Sequence, residues 1–196
     1  MSTTASPDRL LRRGFVLEYA TLAWNVVGIV VLATTAIAAR SVALAGFGLD
    51  SLIEIGASTV VVWELSGTGE RRQRKALRLI GLAFVLLALY LVVQSTWVLA
   101  TGHHAGHSVG GIVWTAVTAV AMFALAAGKT RTGRELGNPV IRTEGKVTVV
   151  DGILAVAVLV GLLLNATLGW WWADPATGYV LVYYATREAR EIFREH

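Results

Sequence analysis

The chain has 196 residues, 55% of them hydrophobic and only 15% charged, with a mean hydropathy of +0.62. A soluble domain carries charge at roughly a quarter of its positions; here the charges cluster between long apolar stretches, so the composition excludes a soluble globule and describes a polytopic membrane protein. The absence of cysteine excludes disulfides and thiolate metal sites, and the net charge of +4 is a matter of topology rather than of nucleic-acid binding.

A spanning helix needs ~20 mainly apolar residues. Six segments meet that requirement, at 15–38, 41–65, 76–101, 108–128, 143–166 and 170–187. The expected architecture is an all-α membrane protein of six transmembrane helices. Residues 1–14 form a cytoplasmic N-terminal segment, 15–187 the six-helix domain and 188–196 a cytoplasmic C-terminal tail. The connections are short, and the longest is expected from Lys129 to Arg142.

Span one follows Arg12 and Arg13, and Ala36-Ile37-Ala38 resembles a signal cleavage site. Its apolar region is too long for a secretory signal, and it holds Glu18 and Asn25, so it reads as a retained helix. Glu18 and Asn25 are seven residues apart and share a face. Both could line the cytoplasmic access, or Glu18 could sit at a helix start where the dipole favours an acid. Trp24 is expected to be a packing residue.

Span two contains Asp50-Ser-Leu-Ile-Glu54, two carboxylates four residues apart and therefore stacked on one helix face. Span three carries Tyr90 and Gln94 on a common face, suited to hydrogen bonds between helices. The outer connection after it holds His103, His104 and His107. The spacing of four could place His103 and His107 on one metal, although a short exposed loop favours solvated imidazoles. The basic segments Arg71 to Arg78 and Lys129 to Arg142 fix orientation and can hold anionic lipid head groups. Span five places Asp151 among apolar residues, with Glu144 two turns below it. Asp174 and Pro175 form a helix-start signal before span six.

Sixteen of the 17 basic residues fall on one side, with only Arg40 opposite. By the positive-inside rule both termini are cytoplasmic. Trp97, Trp114 and Trp170 to Trp172 mark the outer interface, and Trp63 the inner one.

A carboxylate at bilayer depth is costly and normally faces a partner, a cavity or a pathway. Asp50 lies ~14 Å below the outer surface and Asp151 ~12 Å above the inner one at 1.5 Å per residue. In a core ~30 Å thick they reach the same midplane level. Two antiparallel helices with carboxylates at one level form an oxygen-lined cation site. Hard divalent ions prefer such donors, while Zn²⁺ also takes imidazole and thiolate. The competing reading has Asp50 and Asp151 bonding only to neighbours such as Ser51, Thr148 or Asn25.

Ser41 to Glu54, with its small-residue start followed by Asp-x-x-x-acid, resembles the second helix of the cation diffusion facilitator (cation efflux) family. Glu144 to Asn165, followed by Gly169-Trp-Trp-Trp-Ala-Asp-Pro175, is similar to helices five and six of its short bacterial members. The resemblance implies a cation-efflux bundle with a metal site between helices two and five, and export coupled to inward proton movement. Asp50, Glu54 and Asp151 match the family's ligand positions. Val147 stands where the family usually has His, which leaves Glu144 or Thr148 as substitute donors. The expected metal-ligand set is thus Asp50, Glu54, Asp151 and Glu144. The cargo would be a divalent cation (Zn, Mn, Fe, Co or Cd), with no cofactor, and the localisation the cytoplasmic membrane. The family's soluble domain is not expected after span six, so a homodimer would be held within the bilayer, through spans three and four. The alternative, from another functional class, is a non-transporting membrane module that keeps the fold. No catalytic triad, hydrolase or phosphate-loop arrangement appears, so an enzyme is not expected.

Overall fold

A computed structural model describes residues 7–66, 70–102, 104 and 106–195. Every regular element among them is an α-helix: α1 (Pro7–Ala39), α2 (Val42–Leu65), α3 (Glu70–Thr101), α4 (Val109–Leu136), α5 (Pro139–Leu168) and α6 (Ala173–Glu195). Five of the six, α1 to α5, are long and apolar enough to cross a membrane. The sixth, α6, is more polar, because its second half carries Arg187, Arg190, Glu191 and Arg194. The expected span at 170–187 therefore does not stand on composition alone; α6 lies along α3 and α5.

The helices overrun the apolar segments on the side where the chain begins and ends. Hydropathy falls when charged residues begin, but Arg, Lys and Glu are good helix formers, so the helix continues through them. The largest consequence is at the fourth connection. The expected loop from Lys129 to Arg142 does not exist: α4 runs to Leu136 and α5 begins at Pro139. Gly137 caps α4 in the left-handed region (φ 64°), its N–H bonded to Arg134 O. The Asn138 side chain then accepts from Val140 N and Ile141 N at 2.8 and 3.0 Å. Glycine after one helix and Asn-Pro opening the next make a stop and a start in two residues.

The most intimate helix pairs are α4 with α5, α3 with α6 and α1 with α2. Between α4 and α5, glycine permits near contact of backbones: Gly145 faces the Thr130 backbone and Gly133 faces that of Arg142. The core of Leu32, Leu44, Phe47, Leu77, Ile80, Leu87, Ile141 and Leu154 fills the space between helices. Outward-facing Val26, Val30, Ile37, Leu86, Leu89, Val93, Val113 and Val120 are exposed, as lipid-facing residues should be. Trp97, Trp170 and Trp172 are also exposed, and the last two stack on each other. Trp24 packs inside as expected, stacked on Trp114 and donating from Nε1 to Thr118 Oγ1 at 3.2 Å. Trp114 is thus partly an internal residue rather than purely an interface marker. Tyr90 and Gln94 interact with each other along α3 and pack against Gly46 of α2.

Candidate cation site

Two levels of polar side chains run up the inside of the bundle. The outer level is built by α2 and α5. Asp50 and Glu54 project from the same face of α2, one turn apart, and Asp151 meets them from α5. All three are buried, with 3–4% of their surface exposed. They line one enclosed cavity of about 10 Å³ with Ile53, Ala57, Ile80, Ala83, Phe84, Leu87 and Val147, space for about one water molecule. Asn25 of α1 donates from Nδ2 to Glu54 Oε2 at 2.8 Å.

The Glu54 and Asp151 carboxyl groups face each other. Glu54 Oε1 and Asp151 Oδ2 are buried and accept no hydrogen bond from any described residue. Buried acceptors without donors are uncommon in folded proteins, so two of them on neighbouring carboxyl groups mark a place suited to a proton or a cation. Among the described residues no group of three or more His, Cys, Asp or Glu side chains stands in metal-holding geometry. The three acids share a cavity without yet closing on one point. Structural bonding of Asp50 or Asp151 to Ser51 or Thr148 is not what the chain adopts. Ser51 bonds to Phe47 O at 3.2 Å and Thr148 to Glu144 O at 2.9 Å.

The inner level, nearer the chain termini, is built by α1, α2, α4 and α5 around Lys129. That side chain is 0% exposed. Its Nζ stands 3.1 Å from Glu18 Oε2 and 3.2 Å from Glu144 Oε1, and Ser58 Oγ donates to the same Glu144 oxygen at 3.4 Å. Three expectations are corrected here. Lys129 is not a loop residue that fixes orientation; it is the centre of a buried ion-pair cluster. Glu18 is not a helix-start acid, since α1 begins at Pro7. Glu144 pairs with Lys129 and does not line the cavity of Asp50, Glu54 and Asp151. Thr148 does not line the cavity either, whereas Val147 does.

The sequence contains a signal for Lys129. The buried residues Gly111, Thr115, Thr118, Met122, Ala126, Lys129 and Gly133 recur at steps of three and four, so the buried stripe of α4 runs straight through the lysine. Of the outer histidines, two fall among the described residues. His104 stacks on Trp171 at 4.9 Å between ring centres, His107 is exposed, and His103 lies outside the described residues, as does the side chain of Asp174.

A bundle with five helices long and apolar enough to cross a membrane, and with apolar surfaces facing outward, is a multi-pass membrane protein. Residues 76–196 match the cation efflux transmembrane domain. That is more than half the chain, which belongs to the cation efflux family, a family of metal-cation transporters. The matched stretch includes Lys129, Glu144 and Asp151; Asp50 and Glu54 precede it. A comparison with curated proteins finds no match.

Proposed function

We propose that the chain exports divalent metal cations by proton antiport, using Asp50, Glu54 and Asp151 as the transport site between α2 and α5. The observation that carries this reading is the shared cavity of three buried carboxylates, with facing oxygens that lack any donor. Like charges this close cannot all persist unneutralised. A divalent ion can neutralise them, and so can protons. A site that must hold one or the other exchanges them as the bundle rocks between its two openings. In this reading the terminal side, where the basic residues gather, faces the cytoplasm of a cell-membrane protein, as the positive-inside rule favours. A homodimer would be held through lipid-exposed faces of α3 and α4. Oxygen donors alone favour hard ions such as Mn²⁺ over Zn²⁺, and Val147 supplies no imidazole.

The test is metal flux into proteoliposomes under an imposed pH gradient, over Zn, Mn, Fe, Co and Cd. Gradient-driven flux present in the wild type and lost in Asp50→Asn and Asp151→Asn supports the assignment. Equal flux in wild type and both variants would sink it. One observation favours a second reading, a non-transporting membrane module: Val147 fills the fourth side of a very small cavity, and neither Glu144 nor Thr148 replaces it. Absence of flux for every ion in a well-folded protein would establish that reading.

A further inference from the structure

Each of three helices offers polar side chains at both levels. On α1 they are Glu18 and Asn25, on α2 Ser58 and Glu54, and on α5 Glu144 and Asp151. The spacings of seven, four and seven residues separate the levels by ~6–10 Å at 1.5 Å per residue. The outer level has acceptors with no donor between them. The inner level has the same kind of acceptors with an ammonium between them, delivered by α4.

We propose that Lys129 is a tethered cation that fills the inner level of this acid column, so that the chain holds divalent cargo at one level where its side chains would otherwise form two. The inference rests on the proposed transport reading for its cargo, but not for its geometry. Glu18 and Glu144 converge on Nζ from α1 and α5 at 3.1 and 3.2 Å, and Ser58 adds a hydroxyl from α2. Two carboxylates and a hydroxyl from three helices are a hard-oxygen donor set of the kind that divalent cations take. Glu18 Oε1 and Glu144 Oε2 are buried and accept no hydrogen bond from any described residue; one ammonium faces two carboxyl groups. The cluster therefore has oxygen atoms in reserve for coordination. A long, flexible ammonium occupies the place without being carried away, so a metal ion moving between the terminal side and the outer level must displace it from Glu144 and Glu18.

The experiment is a calorimetric titration of the full chain in lipid nanodiscs with Mn²⁺ and with Zn²⁺. The wild type is expected to bind one equivalent, and Lys129→Met two. Lys129→Arg, which keeps the charge, should bind one. The second equivalent should disappear in Lys129→Met/Glu18→Gln/Glu144→Gln. In an Asp50→Asn/Asp151→Asn background the equivalent gained by Lys129→Met should persist, although the wild-type equivalent is lost. If the wild type binds nothing, the transport reading fails, while the gain in Lys129→Met still reports on the inner level. Should Lys129→Met fail to fold, Lys129→Gln/Glu18→Gln leaves one buried carboxylate and is read by the same titration; a second, weaker equivalent that Glu144→Gln removes supports the proposal. A folded Lys129→Met protein that binds no more metal than wild type, or a gain that survives removal of both acids, would overturn it.

Discussion

The register of Lys129 against Glu144 depends on how closely α4 and α5 approach, and Gly145→Ala is the sharpest perturbation of that approach. A methyl group there would stand 2.5 Å from Thr130 Oγ1 and 2.7 Å from Thr130 N. The hydroxyl can rotate away, but the backbone nitrogen cannot. Reaching an ordinary separation of ~3.5 Å requires the helices to part locally by roughly 0.8 Å. Overpacking of this kind costs about 1–3 kcal/mol. For a chain of this size that lowers the melting temperature by roughly 2–12 °C, measured in detergent by loss of helical circular dichroism. Gly133→Ala, whose methyl would stand 2.6 Å from Arg142 N, should behave alike. Gly56→Ala is the control. Nothing lies within 4 Å of its added carbon, and alanine in place of helical glycine should gain up to ~1 kcal/mol. Because Gly145 neighbours Glu144 and Thr130 neighbours Lys129, Gly145→Ala and Lys129→Met share contacts. Their costs should miss additivity by ~0.5–3 kcal/mol. A Gly145→Ala protein that melts with the wild type would refute the close α4–α5 approach, and with it the position assigned to Lys129.

Val147→His should present an imidazole to the carboxylate cavity and raise the preference for Zn²⁺ over Mn²⁺ by at least ~10-fold; an unchanged ratio in competition titrations would place Val147 elsewhere. Asn25→Leu removes the 2.8 Å hydrogen bond to Glu54, one to a charged acceptor worth ~1.5–3 kcal/mol; metal affinity should fall by about 10-fold or more, and equal affinities would show that Asn25 does not position Glu54. At the terminal side, the Lys146 ammonium bonded to Glu191 holds that carboxyl below its ordinary value of 4.5. A depressed acid contributes stability above its unfolded pKa and loses it as pH falls through the folded one. The part of the acid sensitivity that Glu191→Gln abolishes should therefore appear only below about pH 4.5 and amount to ~1 kcal/mol or less at so exposed a pair. Melting curves across pH 3–7 that keep the same profile in Glu191→Gln would remove the contact from the stability account.

How much could be read from the sequence follows from what each residue sits among. Asp50, Glu54 and Asp151 stand out because apolar residues flank them on both sides, and helical spacing then assigns them to facing surfaces. Lys129 stands at the edge of such a run, followed by Thr130, Arg131 and Arg134, so hydropathy assigns it to the polar side. Burial depends on helix face rather than on average polarity, and only the three-and-four step from Gly111 to Gly133 carries that information. Gly137, Asn138 and Pro139 shorten the connection in the same way: their cap signals are local, whereas a hydropathy window spreads over them. Helical spacing puts Glu144 on the face of Asp151 but carries no information about its pairing with Lys129.

The two levels differ in one feature that bears on how such a bundle can work. At the outer level no ammonium of the described residues pairs with the carboxyl groups, so on the proposed reading the neutralising charge is exchangeable. At the inner level the chain supplies it through Lys129, so it cannot leave. An exporter with two free levels would let an ion pause near the terminal side and fall back. On the proposal above, a tethered cation denies it that resting place. Breaking such a buried cluster by removing one partner costs about 3–5 kcal/mol, because the abandoned carboxylates remain in an apolar interior. A divalent ion that binds them in Lys129→Met returns stability by mass action, ~2.7 kcal/mol at a hundredfold excess over its dissociation constant. Thermal stability of Lys129→Met should thus depend on Mn²⁺ far more steeply than that of the wild type. A flat dependence would mean that the inner acids serve only to hold α1 and α5 onto α4.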